Sequence, residues 1–478
     1  MSVRALLAAA AAASPSEPTA GDALVVLTAP LASVAPGPSL VAAAGRAALA
    51  GARMSWEPGD FERQSSAAWC AAGWGEAARI DAAGPQRFSD LRRAGDALLG
   101  SVIERRAPGC EAAPAPRLYG GLRFTAAEAA AATESGPWSA FPDASFVLPR
   151  WLCTGDAQRS YLQLAARQSE LRNPAKLLAE LAQLEQALWP AAATENIGLS
   201  PNKGELAELS PHLWQQLIED ALRRIDTGEL LKVVAARQSH LRAAGSFDVA
   251  AVLAALRSQY PECTRFAFQR GAAVFLGATP EKLVERRDRQ VMADALAGSC
   301  PRAAAADAQT DDATAAALLA DDKERREHQH VVAAIRSTLA GRCDSVQAAS
   351  EPGVRRLRNV LHLWTPVQAE LRQDAHVLEL LAVLHPTPAV CGVPRDAAAR
   401  WIATREPAAR GWYAAPVGWF DGRGDGVFCV GIRSAVVELE QAWLFAGAGI
   451  VAGSDPAKEY RETAAKQRAM LAALGGAA

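Results

Sequence analysis

Near the C-terminal end, three apolar segments, Trp412–Phe420, Gly426–Glu438 and Ala442–Ala446, follow one another with only short turns between them. Parallel neighbours need a crossover of a dozen or more residues, so strands spaced this closely pair antiparallel. The first two are joined by Asp421-Gly422-Arg423-Gly424-Asp425, a run of turn-forming residues. A further hairpin is predicted upstream, Phe266–Gln269 with Ala273–Leu276 around Arg270-Gly271. Other strands are expected at Ala23–Thr28, Tyr119–Phe124, Ser145–Leu148, Leu230–Ala236 and Lys282–Glu285, and a glycine-interrupted strand end at Phe445–Val451. Helical spacing marks Pro174–Trp189 capped by Asn173, Pro211 to about Thr227 capped by Ser210 and ended by Gly228, and Phe247–Gln259 capped by Ser246. Asp312–Leu339 and Pro456–Leu474 complete the helices. Antiparallel strands mixed with helices define the α+β class. Regular βαβ alternation is missing, and so is a G-x-G-x-x-G after the first strand, which argues against a dinucleotide-binding fold.

The 478 residues suffice for one very large domain or two to three ordinary ones, and 12 tryptophans are available to anchor a core. The formal net charge of -2 leaves no basic footprint for nucleic acid. A local pocket on a near-neutral protein can still attract a small anion. The eight cysteines are dispersed, with no C-x-x-C pair, so neither a zinc site nor a disulfide framework is expected, and free thiols suit a reducing cytoplasm. No stretch has the length and purity of a membrane span. Met1–Ser14, one arginine and then an alanine run, is expected to be a frayed tail rather than an export signal, and Pro190–Lys203 a weak linker.

Two helices carry carboxylates at helical spacing. Glu324 and Glu327 share one face, as do Glu459 and Glu462, with Lys466 a turn further on. Carboxylates from separate helices facing one cavity suit a hard divalent ion such as Mg²⁺; taken singly, such pairs are also what a solvated helix surface looks like. Lys232 stands among apolar residues, on one face with Leu230 and Val234. A buried amine loses its proton more readily, as a general base requires; the alternative is a rim lysine reaching to water. Gly277-Ala278-Thr279-Pro280-Glu281 sets a carboxyl in a tight turn after a strand, where desolvation would keep it protonated as a general acid, and exposure would not. The glycines of Phe445–Val451 either let backbone N–H groups approach an anion or mark a bulge. Arg433, placed in the preceding strand, is a natural carboxylate partner or a wet-face residue.

The order of these blocks along the chain is more informative than any one. Leu231–Arg237 (LKVVAAR), Gly277–Glu281 (GATPE), Leu296–Ser299 (LAGS), Asp322–His328 (DKERREH) and Leu361–Thr365 (LHLWT) are followed by His385–Pro394 (HPTPAVCGVP), Gly411–Val417 (GWYAAPV), Gly431–Arg433 (GIR), Phe445–Val451 (FAGAGIV) and Glu459–Lys466 (EYRETAAK). The series resembles the chorismate-binding enzyme family, strongly from about Ser210 to Leu474 and more weakly before it, where Gly120–Phe124 and Phe141–Leu148 also fit. The resemblance implies a single large domain of two stacked antiparallel β-sheets flanked by helices. Residues 1–20 would be a flexible tail, 21–200 the N-terminal part of the fold and 201–478 the catalytic region. It implies Lys232 as the base that activates water and Glu281 as the acid that protonates the departing C4 hydroxyl. Glu327 and Glu462 would bind Mg²⁺ directly, and Glu324 and Glu459 through water. Arg433 and the Gly447 backbone would hold the enolpyruvyl carboxylate of chorismate, while Gly298, Ser299, His362, Ala389, Tyr413, Gly449 and Lys466 line the pocket.

Within the family, anthranilate synthases typically have Gln where this chain has Lys232, and a lysine suits the water-using branch, the isochorismate synthases. The block His385–Ala389 points the same way, whereas Tyr413 is shared with salicylate synthases and leaves a pyruvate-eliminating step open. Arg326 departs from the histidine often found before the metal-binding glutamate. A partner-dependent aminating subunit is the third reading. The expected partners are chorismate and a downstream isochorismate-using enzyme, with neither nucleic acid nor membrane, on a cytoplasmic monomer.

Overall fold

The computed structural model describes residues 4, 5, 7, 22–31, 53–60, 68–126, 136–188, 204–302 and 308–476. The strand Ala144–Gly155 organises the sheet. One edge pairs with Cys70–Ala82 along its length; the other is shared, Arg117–Leu122 taking its first half and Ser160–Arg167 its second. The hydrogen-bonded network therefore forks. One branch runs from Cys70–Ala82 through Arg53–Glu57, Thr264–Arg270, Ala273–Thr279, Ser434–Glu438 and Gln441–Ile450 to Lys232–Arg242. The other runs from Arg117–Leu122 through Pro416–Asp421, Gly426–Val430, Lys282–Arg287 and Gln290–Pro301 to Val360–Leu371. The expected two sheets are thus branches of one network, and one pair is not antiparallel: Leu24–Pro30 lies parallel to Ile103–Arg106.

The main core is aromatic. Trp138 packs edge-on against Phe141 and Phe275, with ring centroids 5.6 and 5.3 Å away, and Phe146 meets Phe428 of the other branch at 5.9 Å. Such tilted and T-shaped contacts are the arrangements ring quadrupoles favour. Helices flank the sheet. Pro211–Asp226 starts where expected, Ser210 Oγ accepting from Leu213 N at 3.3 Å, and Thr227 closes it before Gly228 at φ +76°.

Several predicted elements differ, each for a local reason. Asp312–Leu339 is two helices, Ala308–Ala320 and Asp322–Ala340, because the Asp321 side chain accepts from Lys323 N and Glu324 N and so starts a new helix. Asp248, not Ser246, caps Val249–Gln259, accepting from Ala250 N and Ala251 N. Gly426–Glu438 is broken into Gly426–Val430 and Ser434–Glu438, since Arg433 takes φ +51° and turns the chain; Arg433 is therefore in the link and not in a strand. The strand drawn from Trp412 begins at Pro416, after Ala414 at φ 58°. The glycines of Phe445–Val451 do not interrupt pairing: Gln441–Ile450 matches Lys232–Arg242 residue for residue over ten positions. The strand expected from Leu230 starts at Lys232. Pro190–Lys203 and most of Met1–Ser14 lie outside the described residues.

Candidate active site

The register places the site. Gly449 stands opposite Val234 and Gly447 opposite Ala236, so the lysine strand and the glycine strand form one wall. The facing wall is Gln290–Pro301, whose pairing with Val360–Leu371 slips between Leu296 and Ser299. That slip is a β-bulge, which re-aims the residues around it. Gly298 sits at φ +77° there, and a Cβ on it would lie 2.9 Å from the Glu324 carbonyl, so glycine is required. The bulge turns Ser299 N–H to Glu324 Oε2 and Ser299 Oγ to Glu462 Oε1, both at 2.8 Å.

The two acidic helices close the space between the walls. Their carboxylates are not a solvated surface: Glu324, Glu327 and Glu459 are all buried. Each is turned onto a cation. Glu327 Oε1 lies 3.0 Å from Lys232 Nζ, Glu459 Oε1 2.9 Å from Lys323 Nζ, and Glu462 Oε1 2.6 Å from Lys466 Nζ. Burial, and then the neighbouring Glu327, push Glu324 up; burial, and then Glu462, do the same to Glu459. Burial acts against ionised Glu462 as well, but Lys466 and the Ser299 hydroxyl hold it low. The four groups thus feel one another's charge, and Glu459 Oε2 is buried with no hydrogen-bond partner among the described residues. This donor set, hard oxygens with an orphan among them, fits a hard divalent ion. Among the described residues no three acidic, histidine or cysteine side chains already stand close enough to share an ion, so the lysine contacts would have to give way.

The cavity between these elements encloses about 680 Å³, open water at its mouth included, and is lined by Glu281, Gly298, Ser299, Glu327, His362, Ala389, Tyr413, Arg433, Gly447, Gly449, Glu462 and Lys466. A concave lining of apolar residues with a few convergent polar groups is the usual form of a small-molecule site. Three residues singled out from the sequence do not line it. These are the buried Glu324 and Glu459, and Lys232, which is fully buried and 3.0 Å from Glu327. A Cβ on Gly449 would come 2.2 Å from Glu327 Oε1, so the absence of a side chain there is what lets that carboxylate lie across the strand.

Glu281 is 3% exposed, and its carboxyl is pushed up to about 8, first by burial and then by the charge of Asp294; Lys232, Arg355 and Lys466 oppose this. Asp294 is fixed by three donors: Trp364 Nε1 at 2.7 Å, Arg355 Nη1 at 3.0 Å and Lys282 N, next to Glu281, at 3.3 Å. Arg433 is buried and, among the described residues, has no acidic partner within ion-pair distance; its Nη2 lies 3.1 Å from His362 Nε2. Burial, and then the Arg433 charge, drive His362 well below its ordinary value, so it is neutral and Nε2 accepts from the guanidinium. A buried arginine that lines a cavity, with no carboxylate among the described residues at ion-pair distance, is suited to an anion. Tyr413 stacks on Phe445 at 5.2 Å, and burial pushes its hydroxyl up.

Sequence reasoning missed the apolar lining, Val234, Leu296, Ala297, Val390, Ala414, Ile432, Phe445 and Ala446, which no spacing distinguishes from core. It also missed Asp294, whose signal was an acid inside an otherwise apolar strand, and Lys323, which lies within a block already picked out.

A forked, largely antiparallel sheet brings buried carboxylates and an arginine with no acidic partner among the described residues to one cavity, an arrangement suited to a small anionic ligand. Residues 22–475 match the model of the chorismate binding enzymes, and the chain belongs to that family. It is 38% identical to the salicylate biosynthesis isochorismate synthase of Pseudomonas aeruginosa over 84% of this chain and 83% of that one. With isochorismate synthase MenF of Bacillus subtilis the identity is 34%, over 76% and 75% of the two chains. Among solved structures, the menaquinone-specific isochorismate synthase MenF of Escherichia coli superposes with a TM-score of 0.77 at 27% identity, covering 99% of this chain and all of that one.

Proposed function

We infer that the chain is an isochorismate synthase, which adds water at C2 of chorismate as the ring double bonds shift and the C4 hydroxyl leaves. The observation that carries this reading is Glu281, a buried carboxyl that keeps its proton up to about pH 8, in the same cavity as a buried arginine with no acidic partner among the described residues. Arg433, backed by neutral His362, takes one substrate carboxylate by charge-assisted hydrogen bonds. Gly447 offers backbone close by, with Lys466 Nζ anchored on its carbonyl at 3.0 Å. Glu281 donates its proton to the departing hydroxyl, a transfer that typically contributes 10²–10⁴-fold. Lys232, on the strand that forms one wall of the site, takes the proton of the incoming water. Glu327 lies 3.0 Å from Lys232 and lines the cavity where Lys232 does not, so the carboxylate moves off the amine when the amine meets water. Glu327 and Glu462, together with Glu324 and Glu459, would hold Mg²⁺, which when bound supplies positive charge to the ring carboxylate. The proton taken by Lys232 and the proton lost by Glu281 balance, so the reaction is a reversible isomerisation.

The test is the product spectrum of the purified chain with chorismate and Mg²⁺ alone. Isochorismate in equilibrium with chorismate is expected. Salicylate with pyruvate as the only products would instead establish the lyase reading that Tyr413 leaves open, and turnover that requires ammonia would establish the aminating one.

A further inference from the structure

The outer edge of the Lys232–Arg242 strand is paired in two pieces. Gly392–Val393 covers Lys232 and Val233, and Glu205–Glu208 covers Ser239–Arg242. Between them, from Val234 to Gln238, no described strand lies alongside. Backbone groups there would be buried without partners, which is costly. Val234 N donates to the Cys391 carbonyl at 2.7 Å, and two side chains from just beyond the helix Arg395–Arg405 supply two further partners. Arg410 Nη2 donates to the Val234 carbonyl at 2.8 Å, and Glu406 Oε1 accepts from Ala236 N at 2.8 Å. The two are also bound to each other, Arg410 Nε to Glu406 Oε2 at 2.8 Å and Nη2 to Oε1 at 2.5 Å, and both are buried. The third branch of the guanidinium reaches the Val390 carbonyl at 2.7 Å. Val390 belongs to a tight turn, with Val390 N and Cys391 N both donating to the Thr387 carbonyl, and it lines the cavity beside Ala389. One arginine therefore ties two separate cavity-lining backbones, Val234 and Val390, and stands two residues from Lys232 along the strand.

We propose that Glu406 and Arg410 are a positioning pair: a surrogate for the missing stretch of strand that fixes the lysine end of the cavity against the Thr387–Cys391 turn. The inference rests on the isochorismate synthase reading for what the wall is used for. The pair touches no group assigned to hold either substrate carboxylate, so its loss should misplace the nucleophile end of the site and leave affinity alone.

The test compares Arg410→Lys and Glu406→Gln with the wild type in chorismate turnover, with folding followed by circular dichroism and thermal melting. Lysine keeps the charge beside Glu406 but cannot reach it and two carbonyls at once. Glutamine keeps an acceptor for Ala236 N and for Arg410. The expected result for Arg410→Lys is a kcat at least tenfold lower with KM within threefold of wild type, and for Glu406→Gln a smaller loss of the same kind. A kcat within twofold of wild type in folded Arg410→Lys overturns the proposal, as does a loss confined to KM. If Arg410→Lys does not fold, Glu406→Gln decides alone by the same criteria, and failure of both to fold would assign the pair to stability and overturn it as well. Wild-type protein that makes no isochorismate would sink the functional reading itself, a result distinct from any of these.

Discussion

Glu281 carries the most specific expectations at the scale of single residues. Its folded value, about 8, lies above the ordinary carboxylate value of 4.5, so the folded protein holds a proton that the unfolded chain has released. The stabilisation from this group is complete below about pH 4.5 and is lost as pH rises through about 8. Glu281→Gln should remove that part of the pH dependence of melting and lower kcat by about 10²–10⁴-fold, with the fold retained. Turnover within tenfold of wild type would end its role as the acid. Asp294→Asn tests the cause of the shift. With the Asp294 charge gone and Arg355 released to face Glu281, the alkaline limb of the kcat profile should move to lower pH; an unmoved limb would mean burial alone sets it. Gly449→Ala would press a methyl into Glu327, 2.2 Å from its oxygen, and should weaken the apparent Mg²⁺ affinity at least tenfold in a titration of activity.

At the scale of elements, the site depends on two helices bringing like charges together. Four carboxylates lie against lysines there, and a divalent ion is proposed to take the place of those lysines. Mg²⁺ should therefore raise the melting temperature of the wild type, with linkage giving about 2.7 kcal/mol at a hundredfold excess over Kd. Glu462→Ala should lose most of that shift, and an undiminished shift would place the ion elsewhere. Both helix faces were legible in the sequence, because spacing of three residues on a helix fixes which side chains share a side. Their burial was not, since an E-x-x-E pair reads the same on a wet surface. Lys232 was legible because a charged group in an apolar run stands out, and Glu281 because its carboxyl falls in a tight turn just after a strand. The break at Arg433 was hidden, because the left-handed turn that aims its guanidinium falls on a residue type that rarely adopts it. The bulge at Leu296–Ser299 was hidden too, since register slips arise between strands far apart in sequence. The Glu406–Arg410 pair flanks a recognised block yet carries no periodicity that reveals an unpaired strand edge.

For the whole molecule, the fork in the sheet matters most. Sequence resemblance is strongest after Ser210, which suggested a catalytic region in residues 201–478. In the fold, strands from the first third are woven through that region. Arg53–Glu57 pairs with Thr264–Arg270, and Arg117–Leu122 pairs with Pro416–Asp421. A fragment of residues 204–478 would expose both edges and the faces covered by Trp56 and Tyr119. It should be insoluble or unfolded when expressed alone, and a soluble fragment with turnover would contradict the woven architecture. The cavity itself is a whole-molecule product, its walls drawn from both branches and both acidic helices. What it is proposed to do is use one buried acid and one buried amine to exchange a ring hydroxyl for solvent water. The most direct measurement is turnover of chorismate with Mg²⁺ in ¹⁸O-labelled water, followed by mass spectrometry and NMR of the isochorismate formed. One ¹⁸O atom at the C2 hydroxyl of each product molecule is predicted, and product carrying only unlabelled oxygen would contradict the mechanism.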